Sequence, residues 1–308
     1  MARHTLSSWW TFSRIATKSF DDREYDAYRL CYRHQQPYLS KKQRETCYTR
    51  LDLMRAVIHG LKMSIKECKR LFKYRRWNCT TFANGPHVFG KMELSGHRES
   101  AFLQALTTAS VVHTVHKRCY SGKIKNCNCG SGGNSDAIRK RFVTSSFKWS
   151  GCRDELAFGE KFARDFIDDE NEVGPKSGLD LMRMRNNAAG RRAVRKSLRL
   201  NCTCYGASGS CTVRTCWNST AEFSEIAEFL MSKYNSAKHV YIDTNNLISH
   251  YHTSLSRIKR NKKPKPFKLS MIDRKLKRPA KDDLVYVDFS PDYCQTNHEL
   301  GRQEYKHI

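Results

Sequence analysis

The chain has 308 residues with 56 Lys plus Arg against 30 Asp plus Glu, a formal charge of +26, so it is long enough for a hydrophobic core and basic enough to expect a polyanionic partner. No apolar run approaches the ~18 residues of a bilayer-spanning helix, and the opening "MARHTLSSWWTFSRIATKSFDDREYD" lacks the apolar h-region of about 7 to 15 residues found in a secretory signal. Its 13 cysteines fall in tight local pairs such as Cys127/Cys129 and Cys202/Cys204, which point to an oxidising compartment or to metal and leave one sulfur over.

In chain order, the first strong periodicity lies between Leu51 and Phe72. Met54, Val57, Ile58, Leu61, Ile65, Cys68 and Phe72 are spaced three and four apart and predict a buried helical face. A second helix is expected from about Glu99 to Lys117, with Phe102, Leu106, Ala109 and Val112 inward. A third should span Asp154 to Asp168 on Leu156, Phe162, Phe166 and Ile167, and a fourth Leu179 to Leu200. Between them, Cys119 to Cys152 and Cys202 to Cys216 are rich in Gly, Ser and Asn and read as stapled hairpins or loops. Beyond Ser236 the pattern weakens. Arg257 to Lys268 carries seven positive charges, two prolines and no acid, the composition of a linker or an exposed arm, and "LVYVDFSPDYC" alternates like a short strand.

The stretch "CTCYGASGSCTVRTCW" (202–217) concentrates the chemistry. A nucleophile elbow needs Gly-x-Ser-x-Gly, whereas this tip reads Gly206-Ala207-Ser208-Gly209-Ser210, so a hydrolase is not expected. Zinc knuckles leave two to four residues between ligands; here the gaps are one, six and four. Nested bonds Cys202–Cys216 and Cys204–Cys211 would instead hold the tip. They are one of three possible pairings, and because Cys211 and Cys216 fall on opposite faces of a regular strand they would require a bulge or twist in the second arm. Gly206 and Gly209 permit a tight turn that leaves Ser208 uncovered between them. An ordinary turn serine would look the same.

These residues, with "RRWNC" (75–79), "ESAFLQALTTASVVHTV" (99–115), "FKWSGCRDELAFGEKFARDF" (147–166), "RNNAAGR" (185–191) and "SPDYC" (290–294) in the same order, resemble the Wnt family of secreted, lipid-modified signalling proteins from about Leu30 to Cys294. The resemblance implies a mainly α fold: a helical N-terminal domain with saposin-like helices, two disulfide-stapled β-hairpins and a truncated C-terminal cystine-rich domain. The expected organisation is an atypical N-terminal segment at 1–29, the helical domain at 30–235 with its lipidated hairpin at 202–216, a basic linker at 236–283, and the start of the truncated domain at 284–308.

The same resemblance implies a ligand and not an enzyme, with no metal and no cofactor beyond a covalent palmitoleate placed on Ser208 by the acyltransferase Porcupine. Tyr205, Gly206, Ala207, Ser208, Gly209 and Ser210 would form the element that enters the cysteine-rich domain of Frizzled, with Ser210 supporting the turn. Wntless would carry the protein to an extracellular location, heparan sulfate would retain it in the matrix, and no nucleic acid is expected. An LDL-receptor-related coreceptor would depend on the missing C-terminal finger, whose loss implies weaker receptor binding. The family pairing gives Cys31–Cys47, Cys68–Cys79, Cys119–Cys127, Cys129–Cys152, Cys202–Cys216 and Cys204–Cys211, with Cys294 alone. Asn78, Asn201 and Asn218 stand in glycosylation sequons. Two positions depart from the family pattern: Tyr205 stands where histidine is usual, and Ala188 where glutamate is usual. The alternatives are a non-signalling receptor decoy, separable by whether it blocks a full-length ligand, and a cytosolic zinc- or nucleic-acid-binding protein, which would show free thiols and salt-sensitive binding.

Overall fold

The computed structural model describes residues 9–12, 31, 39–81, 88–127, 155–168, 177–205, 213–243, 268–272 and 277–294. Helices α1 (Lys41–Thr49), α2 (Leu51–Leu71), α3 (Arg98–Tyr120), α4 (Glu155–Ile167), α5 (Gly178–Lys196) and α6 (Phe223–Asn235) dominate them, so the fold is mainly helical as expected. Strands β1 (Leu198–Tyr205) and β2 (Val213–Thr220) form one hairpin. β3 (Lys238–Asp243), β4 (Lys268–Met271) and β5 (Val285–Tyr286) form a second sheet in the order β4-β3-β5, with β3 antiparallel to β4 and parallel to β5.

Helix α3 is the hub, packed against α2, α4, α5 and α6. Its sequence lacks a polar face because no side of it meets water for most of its length: Phe102, Leu106, Ala109 and Val112 are buried, and so are Thr107, Thr108 and Ser110. Those hydroxyls bond within the helix or to a neighbour, Thr107 Oγ1 to Leu103 O at 2.7 Å and Thr108 Oγ1 to Asn187 Oδ1 at 3.1 Å, so their burial leaves no loose donor. Close approach requires glycine at the crossings. A Cβ on Gly60 of α2 would lie 3.0 Å from Ser110 O, and one on Gly190 of α5 only 2.2 Å from Ala105 O.

All seven apolar positions expected on α2 are buried. At its end Phe72 packs on Trp77 (centroids 4.8 Å) and Tyr234 (5.1 Å), which accounts for the tryptophan of "RRWNC". α1 begins with a capping box: Ser40 Oγ accepts from Gln43 N, and Gln43 Oε1 accepts from Ser40 N, each at 3.1 Å. The same Gln43 donates Nε2 to Phe166 O at 2.7 Å, fixing α1 to the end of α4.

Three sequence expectations need correction. Trp9–Phe12, within the segment set apart as 1–29, is a 3-10 turn buried in the same core, with Trp9 edge-on to Phe166 at 6.3 Å and Trp10 to Phe89 at 6.0 Å. The fourth helix stops at Lys196 instead of Leu200, because Leu198-Arg199-Leu200 alternate half-buried, exposed, half-buried and enter β1.

Finally, the stretch 236–283 read as a linker contributes β3 and β4, and the residues after 283 join the existing core. Asn186, fully buried, takes Val285 N at 3.0 Å on Oδ1 and gives Nδ2 to Val285 O at 3.0 Å and to Gln104 Oε1 at 3.1 Å. Arg185 and Arg192 hold the carbonyls of Ala280 and Lys281 at 2.8 and 2.7 Å. Glu99 receives Tyr234 OH at 2.8 Å and Ser290 Oγ at 2.6 Å, so "ESAFLQ" and "SPDYC", far apart in sequence, meet at one carboxylate.

Candidate functional site: a hairpin on the helical body

β1 follows α5 with only Ser197 between, and pairs with β2 without interruption from Leu198↔Thr220 to Tyr205↔Val213. Cys202 stands opposite Cys216 in this register and Cys204 opposite Arg214; both Cys202 and Cys204 are disulfide-bonded. The described ladder contains no bulge. Cys211, on which the expected bulge or twist depends, lies outside the described residues. Residues 206–212, with Gly206, Ala207, Ser208, Gly209 and Ser210, lie outside the described residues; Tyr205 closes β1.

The outer half of the strand has no cover: Asn201, Cys202, Thr203 and Cys204 are exposed. Its root is fixed. Leu198 packs against the main core, Thr220 is buried, and Ala221 N donates to Ser197 O at 3.1 Å. His113 of α3, buried, donates Nε2–H to Ala221 O at 3.1 Å and lies against Phe223 with ring centroids 5.5 Å apart. Nothing in the sequence spacing singled out His113 for this contact; only the packing of α3 against the start of α6 brings it there.

Burial, and then the nearby Lys117 charge, push the His113 imidazole down to about 4 from 6.5, against the opposing pull of the Ala221 carbonyl and of Glu222. His116 adds a small repulsion, and Lys117 is itself paired with Glu222 at 3.0 Å. The unfolded chain therefore binds a proton that the folded chain refuses between pH 6.5 and 4, so stability falls as pH drops through that window. We expect denaturant titrations at pH 7 and pH 4 to show the native protein losing about 3 kcal/mol more than His113→Gln. Equal losses would mean His113 carries no part of the acid sensitivity.

Elsewhere Cys31–Cys47, Cys68–Cys79 and Cys119–Cys127 are disulfides with Cα–Cα distances of 5.8, 5.9 and 6.0 Å, and Cys294 is free and exposed. Cys129 and Cys152 lie outside the described residues. Among the described residues no cluster of His, Cys, Asp and Glu is arranged to hold a metal, and no helix is long and apolar enough to cross a membrane. Asn78 is exposed, with its Oδ1 accepting from Thr80 Oγ1, whereas Asn201 spends its amide on Ser219 Oγ across the hairpin at 2.6 Å.

A model of the Wnt family matches residues 35–306. The chain belongs to the Wnt family. Wnt proteins are signalling ligands, and a chain of the solved complex of human WLS with WNT8A is 29% identical with a TM-score of 0.54, covering 86% of this Wnt chain and 74% of that one. The N-terminal domain and linker of Drosophila WntD is 20% identical with a TM-score of 0.47, covering 79% of this chain and 98% of that one. In this Wnt the motif residues divide by role. Trp77, Glu99, Asn186 and Ser290 build the core and its polar contacts, while Cys202 to Cys204 of the hairpin motif are exposed.

Proposed function

We propose that this chain is a secreted Wnt-type ligand that binds the cysteine-rich domain of Frizzled through a palmitoleate ester on Ser208. The observation that carries the reading is the hairpin itself: a continuous ladder rooted in α3, α5 and α6 whose outer half, Asn201 to Cys204, is exposed. A fixed root lowers the ordering cost of presenting a lipid at the tip, so more of the gross binding energy survives. Porcupine would supply the acyl-transfer chemistry. The likeness to a chain solved in complex with WLS supports Wntless as the carrier during export. Heparan sulfate is the expected matrix partner for a chain of charge +26. Asn78, exposed on the surface, is the foremost glycosylation candidate, ahead of Asn218 and of Asn201 with its engaged amide.

Mass spectrometry of the exported protein tests the reading. The peptide containing Ser208 should carry a mono-unsaturated 16-carbon acyl ester; a bare hydroxyl there in receptor-active material would overturn it.

A further inference from the structure

Residues 279–283, Pro-Ala-Lys-Asp-Asp, lie against α5 and α6 as a bound acidic segment. Arg185 donates to the carbonyls of Pro279 and Ala280 at 2.9 and 2.8 Å, and Arg192 to that of Lys281 at 2.7 Å. Lys196 takes the carboxylate of Asp282, and Lys233 of α6 that of Asp283 at 3.0 Å. The basic side of α5 thus reads both the main chain and the acids of a peptide. Next to this segment, between α4 and α5, is an open groove of about 520 Å³, bordered by Asp282.

Ion pairing decides what charge the groove has left. Of its five cations, Arg195 is taken by Glu160, Lys196 by Asp282, and Arg191, at 2.9 Å, by Asp168 from outside the lining. Two guanidinium groups have no carboxylate among the described residues. Arg192 of α5 spends one of its five N–H donors on Lys281 O, which orients it and leaves its charge whole. Arg164 of α4 is exposed and has no bonded partner among the described residues.

We infer that the groove docks an extended acidic segment of a partner protein, with carboxylates at alternate positions, one for Arg164 and one for Arg192. Alternate side chains of an extended chain share a face, and the stretch of α5 from Ala188 to Lys196 is about 12 Å long, room for about four extended residues. An excess of two charges calls for two carboxylates. A densely charged polyanion would bring further negative charge against Glu160 and Asp282, whereas a peptide brings N–H donors for them. Ala188 is the one apolar residue of the lining, which excludes an apolar helix as the occupant.

The test is fluorescence anisotropy of a labelled peptide of alternating Asp and Gly, titrated with the purified full chain at about 0.1 M salt. Arg164→Gln should weaken binding roughly fivefold, and Arg164→Lys, which keeps the charge without the two-point fork, by about twofold. Lys62→Gln, an equal charge change on the exposed side of α2, should stay within about 1.5-fold of native, and a peptide of alternating Asn and Gly should not bind. Native-like binding by Arg164→Gln, an equal loss in Lys62→Gln, or binding of the Asn peptide would overturn the site. A heparin hexasaccharide that binds more tightly than the Asp peptide and loses as much with Arg164→Gln would overturn the peptide assignment. None of these readouts needs acylated Ser208, so the groove and the lipidated hairpin fail separately.

Discussion

Ser208→Ala should abolish binding to the Frizzled cysteine-rich domain while the protein folds as before. A buried methylene contributes about 0.8 kcal/mol, so a 16-carbon chain supplies on the order of 10 kcal/mol before ordering losses. Even if half is lost, removing the acceptor hydroxyl weakens binding by more than about a thousandfold. Stability should change by no more than about 0.5 kcal/mol, because the ladder from Leu198↔Thr220 to Tyr205↔Val213 and its bond from His113 to Ala221 do not involve Ser208. Binding measured by interferometry, together with a thermal melt on the same secreted material, separates the outcomes. Retained binding by the alanine variant would mean that the grip lies in protein contacts and not in a lipid.

The sequence made the helices legible wherever one face was polar. α2 shows this plainly: Met54, Val57, Ile58, Leu61 and Ile65 share a face and all are buried. The spacing in α3 marks its ends closely but only one inward stripe, since a helix buried all round leaves no contrast for periodicity to detect. β3 is not legible in the sequence because Val240 is the single buried residue of "KHVYID", too little alternation to stand out beside a basic stretch. Its partner β5 has two residues and depends on Asn186, some hundred positions earlier, for its other edge. Neither strand has a local reason to form. The hairpin, by contrast, could be read from its cysteines and glycines, while its root at His113 and Ala221 could not: that contact exists only once α3 and α6 are packed.

Gly190→Ala should cost a few kcal/mol although alanine is the better helix former by about 1 kcal/mol. A Cβ at this position would sit 2.2 Å from Ala105 O, 2.9 Å from its carbonyl carbon and 3.0 Å from its Cα, all backbone atoms of α3. No rotamer change relieves a clash with backbone, and α3 cannot retreat because α2, α4 and α6 enclose its other sides. α5 must therefore move outward, and the bonds within a turn of Gly190 go with it: Asn187 to Thr108 at 3.1 Å, Asn186 to Val285 at 3.0 Å and Arg191 to Asp168 at 2.9 Å. With overpacking at about 3 kcal/mol and these buried polar contacts stretched, the melting temperature should fall by roughly 10 °C. Gly159→Ala on α4 is the contrast. Its Cβ would meet Val112 O at 3.1 Å, close enough to need only a few tenths of an ångström of adjustment, and the melt should shift by no more than about 4 °C. Because β1 leaves α5 through Ser197 alone, the Gly190 variant should also loosen the hairpin's root, seen as faster amide exchange at Ala221. A Gly190 variant that melts within a degree or two of the native protein would show that α5 and α3 are not in backbone contact, and the hairpin would then need some other support.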